Sequence, residues 1–279
     1  MTPQDATVPI GPKAGTLRIV RGTILLMLVV LATAGVPAAA RADTATAKPT
    51  VVLVHGAWDR AESWEDVAGR LRADGYPVVV PDNPLRSLAG DAATLRHALD
   101  QISGPIVLVG HSYGGAVATD AALGNPQVRA LVYIAAFAPD TGESILQLGA
   151  HDLGSLIPVS LVTVPFLGPD GVGVDLYINT LLYPTVLAGD VPLATAQAMA
   201  RNQHPLTLKA FTDPSGPPAW RSIPSWYMVA RQDHAIPPAA ERFMAARAGS
   251  HTVEIDSSHA ALVSHPGEVA DLIRSAASG

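Results

Sequence analysis

Five residues near the middle of the chain have the pattern of a serine nucleophile held on a tight turn. They are Gly110-His111-Ser112-Tyr113-Gly114 and match the pattern G-x-S-x-G. An apolar run at 105–109 predicts a strand before them, and small residues at 115–119 predict a helix start after them. A G-x-S-x-G nucleophile needs this strand–turn–helix context, with glycines that leave room for a strained serine. We therefore predict Ser112 as a nucleophile; the alternative is a glycine-rich turn that only packs closely.

A serine hydroxyl is a weak nucleophile unless a base lies beside it, and the chain has nine histidines. His259 lies in the loop after a predicted strand at 252–255. Because the carboxyl ends of parallel strands share one edge of a sheet, that loop should lie beside Ser112. His251 opens the same strand at its far end, and His265 precedes a proline that indicates a helix start. We predict His259 as the base.

Two aspartates are candidates for the acid that would orient this histidine. Asp233 follows a predicted strand at 226–230, where a triad acid is expected. Asp256 lies only three residues before His259, and such a short separation within a loop rarely gives the right approach to the ring. We predict Asp233, which would hold the imidazole tautomer and stabilise the imidazolium. His234, its neighbour, is expected at the surface.

An oxyanion formed at the serine would need two backbone N–H groups aimed at one point. One should come from Tyr113, directly after the nucleophile, and the other from the loop that follows the first strand. That loop contains His55-Gly56-Ala57-Trp58. We predict the Ala57 N–H as the second donor, with Gly56 allowing a close approach and His55 bracing the loop.

Short apolar runs alternate with helical patterns along the chain. This alternation predicts an α/β fold with a mostly parallel sheet flanked by helices. The predicted strands are 51–54, 76–80, 105–109, 130–134, 226–230 and 252–255, and the predicted helices are 64–73, 91–102, 115–123, 238–248 and 266–277.

Residues 138–219 interrupt the alternation. They contain many glycines and prolines and no strong strand pattern, yet a loop of about 80 residues does not stay structureless in a compact domain. We expect a small, mostly helical cap between the fourth and fifth strands, with its best helix at 195–203. Some of its apolar residues could line a pocket or pack the cap onto the core: Leu156, Val159, Leu161, Val164, Phe166 and Leu167.

The first 42 residues have the pattern of a secretory signal peptide. Basic residues precede an apolar run at 22–36, and Ala40-Arg41-Ala42 fits the small-x-small rule for cleavage. The run is shorter than the ~20 residues that a membrane-spanning helix needs. We expect a secreted domain at 43–279; the alternative is an uncleaved N-terminal anchor.

Composition excludes several classes of function. The chain has no cysteine, which rules out a cysteine nucleophile, disulfides and thiolate metal sites. Its net charge of −6, without any basic run, argues against a nucleic-acid partner. We expect a small-molecule substrate, no metal and no organic cofactor. Nothing in the sequence predicts an oligomeric state.

These motifs together resemble the α/β-hydrolase superfamily. The resemblance covers about residues 50–278 and is weakest at 138–219. Within the superfamily, the motifs resemble more specifically the small bacterial esterase-like members and the plant methylesterase and hydroxynitrile lyase group. The residues that carry it are 55–58, 110–114, Asp233 with Ile236-Pro237-Pro238, and Ser258-His259 with Ser264-His265-Pro266.

The resemblance implies an α/β-hydrolase fold that lacks the two leading strands of larger members. It also implies Asp233 as the acid and Ala57 and Tyr113 as oxyanion donors. We expect hydrolysis of carboxylic esters through an acyl-enzyme. One alternative is a cofactor-free lyase on the same site, for which Lys209 is the only lysine in the cap. The other is a non-catalytic module that binds a small ligand.

Overall fold

The computed structural model describes residue 15, residues 48–168 and residues 171–279. The expected signal peptide therefore lies outside the described residues, except for residue 15, and its cleavage near Ala42 stays a prediction. Within the described ranges, no helix combines the length and the apolar character needed to cross a bilayer. The residues from 48 onward belong to one compact unit.

A six-stranded sheet forms the centre of this unit. Its strand order is β2-β1-β3-β4-β8-β9, and every neighbouring pair is parallel. The α/β prediction, with a mostly parallel sheet, is confirmed. The strands are β1 (Thr50–Val54), β2 (Val78–Val79), β3 (Ile106–Ser112), β4 (Val128–Ala136), β8 (Ser225–Ala230) and β9 (His251–Ile255).

Helices cover both faces of the sheet, which explains why the central strands are almost continuous apolar runs. One face packs against α1 (Glu65–Ala73), the short helix α10 (Ala261–Ser264) and α11 (Pro266–Ser278). The other packs against α2 (Leu88–Asp100), α3 (Tyr113–Ala121) and α9 (Pro238–Arg247).

Helix α2 begins earlier than its apolar pattern predicts. Its N-cap is Ser87, whose hydroxyl accepts a hydrogen bond from Gly90 N at 3.2 Å. The side-chain cap adds a first turn that the pattern starting at Asp91 does not show. Asp91 is thereby placed inside the helix and buried, on the side that faces α3.

The cap lies between β4 and β8, and the expectation that it contains no strong strand is wrong. Three of its segments form an antiparallel sheet in the order β5-β6-β7. The segments are β5 (Leu161–Gly168), β6 (Gly171–Ile178) and β7 (Leu206–Thr207). The cap helices are α4 (Ile145–Gly149), α5 (Ile157–Ser160), α6 (Tyr183–Leu187), α7 (Leu193–Arg201) and α8 (Leu208–Thr212).

The hairpin of β5 and β6 has a local signal in the sequence. Val162, Val164 and Val172 favour strands, and the connection Pro169-Asp170 is typical of a turn. Proline inside β5 and glycines inside β6 obscure this signal, because both weaken a strand pattern. The best predicted cap helix, 195–203, corresponds to α7, which begins and ends two residues earlier.

Candidate active site

Ser112 is the last residue of β3, and α3 begins at the next residue. Its backbone lies at φ 53° and ψ −124°, an unfavourable conformation for a residue with a side chain. The flanking glycines allow this turn. A Cβ on Gly110 would lie 2.5 Å from the backbone of Gly115, and a Cβ on Gly114 would lie 2.5 Å from the oxygen of Val54. Backbone atoms therefore leave no space for larger residues at either position.

His259 and Asp233 form a buried pair at the carboxyl edge of the sheet. His259 Nδ1 lies 2.5 Å from Asp233 Oδ2, and the two side chains are 4% and 0% exposed. The other carboxylate oxygen, Oδ1, accepts hydrogen bonds from the N–H groups of Ala235 (2.6 Å) and Ile236 (2.9 Å). These bonds fix the orientation of the carboxylate, and the pairing at Nδ1 leaves Nε2 of the imidazole available for another partner.

The loop that carries His259 packs against the turn that carries Ser112. The ring of His111, next to the serine, has its centroid 4.8 Å from that of His259. His111 Nε2 also lies 3.0 Å from the main-chain oxygen of His259. Burial lowers the pKa of His111 well below its ordinary value, so this ring is neutral and donates from Nε2 to that oxygen. Sequence reasoning missed this contact, because His111 occupies a variable position of the G-x-S-x-G pattern.

The rival acid and the rival histidines lie in other surroundings. Asp256 is exposed and bonds to Arg231 Nε at 2.7 Å. His251 opens β9, and His265 is the N-terminal cap of α11, where it lies 3.3 Å from a carboxylate oxygen of Asp190. His234 is exposed, and its Nδ1 lies 3.1 Å from the main-chain oxygen of Thr185. The structure therefore brings Asp233, and not Asp256, to His259.

The loop after β1 approaches the serine closely. A Cβ on Gly56 would lie 2.6 Å from Ser112 Cβ. Ala57, Tyr113 and Ser112 line the same small cavity. The next residue, Trp58, joins this loop to the cap, because its main-chain N–H bonds to His204 O at 3.0 Å and its indole N–H bonds to Leu176 O at 2.8 Å.

His55 and Asn83 brace the start of the same loop. Asn83 Nδ2 donates to the main-chain oxygen of His55 at 2.8 Å, and His55 Nδ1 lies 2.9 Å from the oxygen of Gly56. All three residues are buried. Hydrogen bonds therefore hold the loop after β1 both at its start, at His55, and at Trp58.

The cavity beside Ser112 is small and apolar. Its volume is about 20 Å³, enough for about one water molecule. The cap contributes three of its walls, and the rest come from loops at the carboxyl edge of the sheet. The apolar lining comprises Ala57, Trp58, Tyr113, Phe137, Ile145, Ile157, Phe211, Ala235 and Ile236.

The apolar cap residues singled out from the sequence are not among the residues that line this cavity. Leu156 and Leu161 pack against the core, whereas Val159 and Leu167 are 77% and 84% exposed. Lys209 also lies outside the lining; it is exposed and pairs with Asp213 at 2.7 Å. Within residues 48–168 and 171–279, no cluster of three or more His, Asp or Glu residues is placed to hold a metal ion.

Two known proteins are similar to this chain in sequence. A carbendazim hydrolyzing esterase from Nocardioides sp. (strain SG-4G) is 37% identical over 110 residues, which span 35% of this chain and 46% of that esterase. The alpha/beta hydrolase nvfD from Aspergillus novofumigatus (strain IBT 16806) is 27% identical over 82% of this chain and 97% of its own length.

Similar folds are found among solved structures. The crystal structure of polyneuridine aldehyde esterase has a TM-score of 0.69 and 17% identity, and the match covers 82% of this chain and 98% of that one. The family model described as "Alpha/beta hydrolase family" matches residues 51–272. The resemblance seen in the motifs is thereby confirmed, and the chain belongs to the alpha/beta hydrolase family.

Proposed function

We propose that this protein hydrolyses carboxylic esters through an acyl-enzyme formed on Ser112. The observation that carries the proposal is the buried His259–Asp233 pair, packed against the strained turn that presents the serine. Ser112, Asp233 and His259 follow one another along the chain in the order serine, aspartate, histidine, which is the order of a hydrolase triad on this fold.

In the proposed mechanism, Ser112 Oγ attacks the ester carbonyl while His259 Nε2 takes its proton. Asp233 stabilises the imidazolium that forms, and the N–H groups of Ala57 and Tyr113 bind the oxyanion. The tetrahedral intermediate then breaks its bond to the alkoxy group, which leaves as the alcohol with the proton from His259. Water, deprotonated by His259, attacks the carbonyl of the acyl-enzyme. The second tetrahedral intermediate breaks its bond to Ser112 Oγ, which takes the proton back from His259, and the carboxylic acid is released.

The relatives support hydrolysis as the type of reaction. One is an esterase by name, and the fold matches another esterase. The match to the carbendazim hydrolyzing esterase spans less than half of that protein, so we do not assign its substrate to this chain. The cavity supports a coarser specificity: its apolar lining favours esters with a small apolar acyl group.

Two observations weigh against the alternative functions. A lyase that forms cyanide would need a cation at the site, and Lys209 is exposed and paired with Asp213 instead. A module that only binds ligands has no use for a strained serine, which costs on the order of 1–3 kcal/mol of stability.

The test is labelling by a fluorophosphonate probe together with hydrolysis of short p-nitrophenyl esters. Ser112→Ala should abolish labelling and lower kcat by a factor on the order of 10⁶. The matched control is Ser225→Ala, which removes a buried serine at the start of β8 and should retain both activities. A wild-type protein that neither reacts with the probe nor cleaves the esters would refute the proposal.

A further inference from the structure

A second carboxyl group lies directly behind the Asp233 carboxylate. Glu241, on α9, is fully buried, and its carboxyl is within hydrogen-bonding reach of Asp233. One oxygen, Oε2, accepts a hydrogen bond from Ala230 N–H at 3.0 Å. The other, Oε1, has no hydrogen-bond donor among the described residues. A buried carboxylate oxygen without a donor is costly, whereas a protonated oxygen aimed at an acceptor is satisfied.

The hydrogen bonds decide which of the two groups carries the charge. Asp233 accepts from two backbone N–H groups and from His259 Nδ1, which makes it the better stabilised anion. Within the part of the chain that the structure describes, Glu241 accepts from a single N–H group. Because two touching buried carboxyl groups do not both ionise readily, the proton belongs on the group with fewer donors.

The charged and titratable neighbours do not reverse this assignment. Tyr227, on β8, is buried and donates its hydroxyl to Ala136 O. Arg242 is bound to Glu254 by two hydrogen bonds of 2.8 and 2.7 Å. Within the described ranges, neither Asp233 nor Glu241 forms an ion pair with a lysine or an arginine. Among the described residues, His259 is thus the basic side chain that contacts this pair.

We propose that Glu241 is a neutral carboxylic acid that donates its proton in a hydrogen bond to Asp233 and so positions the acid of the triad. This role rests on the proposed function, because it needs Asp233 to act on His259. Asp233 would then be held by four donors, and its charge would face the imidazole without a second negative charge behind it. Burial, and then the negative charge of Asp233, raises the pKa of Glu241 well above its ordinary value, in agreement with this arrangement.

The first test is the infrared difference spectrum between wild type and Glu241→Gln at neutral pH. Glutamine keeps the shape and can donate a hydrogen bond, but it has no protonated carboxyl. We expect wild type to show the carbonyl band of a protonated acid, which Glu241→Gln lacks. The matched control, Glu65→Gln, changes an exposed glutamate on α1 and should retain the band. The same band in Glu241→Gln, or no such band in wild type, would overturn the proposal.

The second test is the pH dependence of Tm for the same proteins. Above the ordinary glutamate pKa of 4.5, the native wild type keeps a proton that the unfolded chain has lost, so its stability falls as pH rises. Glu241→Gln has no such loss. The Tm of Glu241→Gln minus the Tm of wild type should therefore increase by about 3–5 °C for each pH unit between about pH 5.5 and the raised pKa of Glu241. A Tm difference that does not change with pH would overturn the proposal.

Fluorophosphonate labelling separates this inference from the proposed function. We expect Glu241→Gln, whose amide still donates a hydrogen bond to Asp233, to label as wild type does, whereas Glu241→Leu, which cannot donate, should hydrolyse esters with a lower kcat and an unchanged KM. If wild type shows the protonated band but does not label, the triad assignment fails, whereas the neutral carboxyl stands. If both proteins label and the band is absent, the hydrolase stands and the role of Glu241 fails.

Discussion

The hydroxyl of Tyr113 donates a 2.7 Å hydrogen bond to the buried carboxylate of Asp91. This bond joins α2 to the residue directly after Ser112, whose backbone N–H is proposed to bind the oxyanion. Burial raises the pKa of Asp91, although the bond from Tyr113 opposes that effect. The same bond therefore compensates for burying Asp91 and holds Tyr113 in place.

Tyr113→Phe should destabilise the protein while leaving the backbone N–H present. The loss of a hydrogen bond to a buried carboxylate should cost about 1–3 kcal/mol in urea unfolding. Asp91→Asn and the double variant complete a cycle, in which a coupling energy of at least about 0.5 kcal/mol is expected. Strictly additive effects would show that the two side chains do not cooperate.

Asp233→Asn should remove most of the activity, because the imidazole would lose the carboxylate at Nδ1 that fixes its tautomer. A fall in kcat of about 10⁴ is expected, as for a comparable triad. Asp256→Asn is the matched control, since Asp256 is exposed and bound to Arg231. Steady-state ester hydrolysis distinguishes the two variants, and a collapse of activity in Asp256→Asn would contradict the assignment of the acid.

Gly56→Ala should lower activity, because the added Cβ would collide with Ser112, the proposed nucleophile. The added Cβ would lie 2.6 Å from Ser112 Cβ and 3.1 Å from His111, so the serine turn or the loop must shift. We expect kcat to fall at least about tenfold, because displacement of a reacting group by about 1 Å is costly. Gly69→Ala, in the exposed face of α1 with open space around it, should instead stabilise the protein by about 0.5–1 kcal/mol. Equal activity in both variants would show that the loop tolerates the methyl group.

Phe211→Ala should shift ester preference toward longer acyl groups. Phe211 comes from α8 and forms part of the apolar wall beside Ser112. Its truncation enlarges a cavity of about 20 Å³, so kcat/KM for hexanoyl relative to acetyl p-nitrophenyl esters should rise. Leu167→Ala removes an exposed cap side chain and should leave this ratio unchanged. A ratio that moves equally in both variants would place the acyl group elsewhere.

The protein purified from the medium of a secreting host should begin at Asp43. Cleavage after Ala42 follows from the basic residues, apolar run and small residues that precede it. N-terminal sequencing checks this prediction, and an exported chain that starts at Met1 would contradict it.

The central sheet could be predicted because its inner strands β1, β3, β4 and β8 are buried, mostly apolar runs that alternate with helical patterns. The serine turn could be recognised because backbone crowding restricts two of its positions to glycine. Other features depend on contacts between distant segments. Glu241 looks like an ordinary polar residue of α9 until the fold buries it against Asp233, and Ile157 and Phe211 become cavity walls only when the cap is in place.

The hydrogen bonds of Trp58 to the cap have a consequence for selectivity. They connect the loop that carries the Ala57 N–H, a proposed oxyanion donor, to His204 and Leu176 of the cap, so this loop and the cap should move together. An ester too bulky for the cavity would displace the cap, and the loop that carries Ala57 would then move away from the carbonyl oxygen of the ester. Such a compound would bind and still react slowly, so discrimination among esters would appear as differences in turnover more than in affinity.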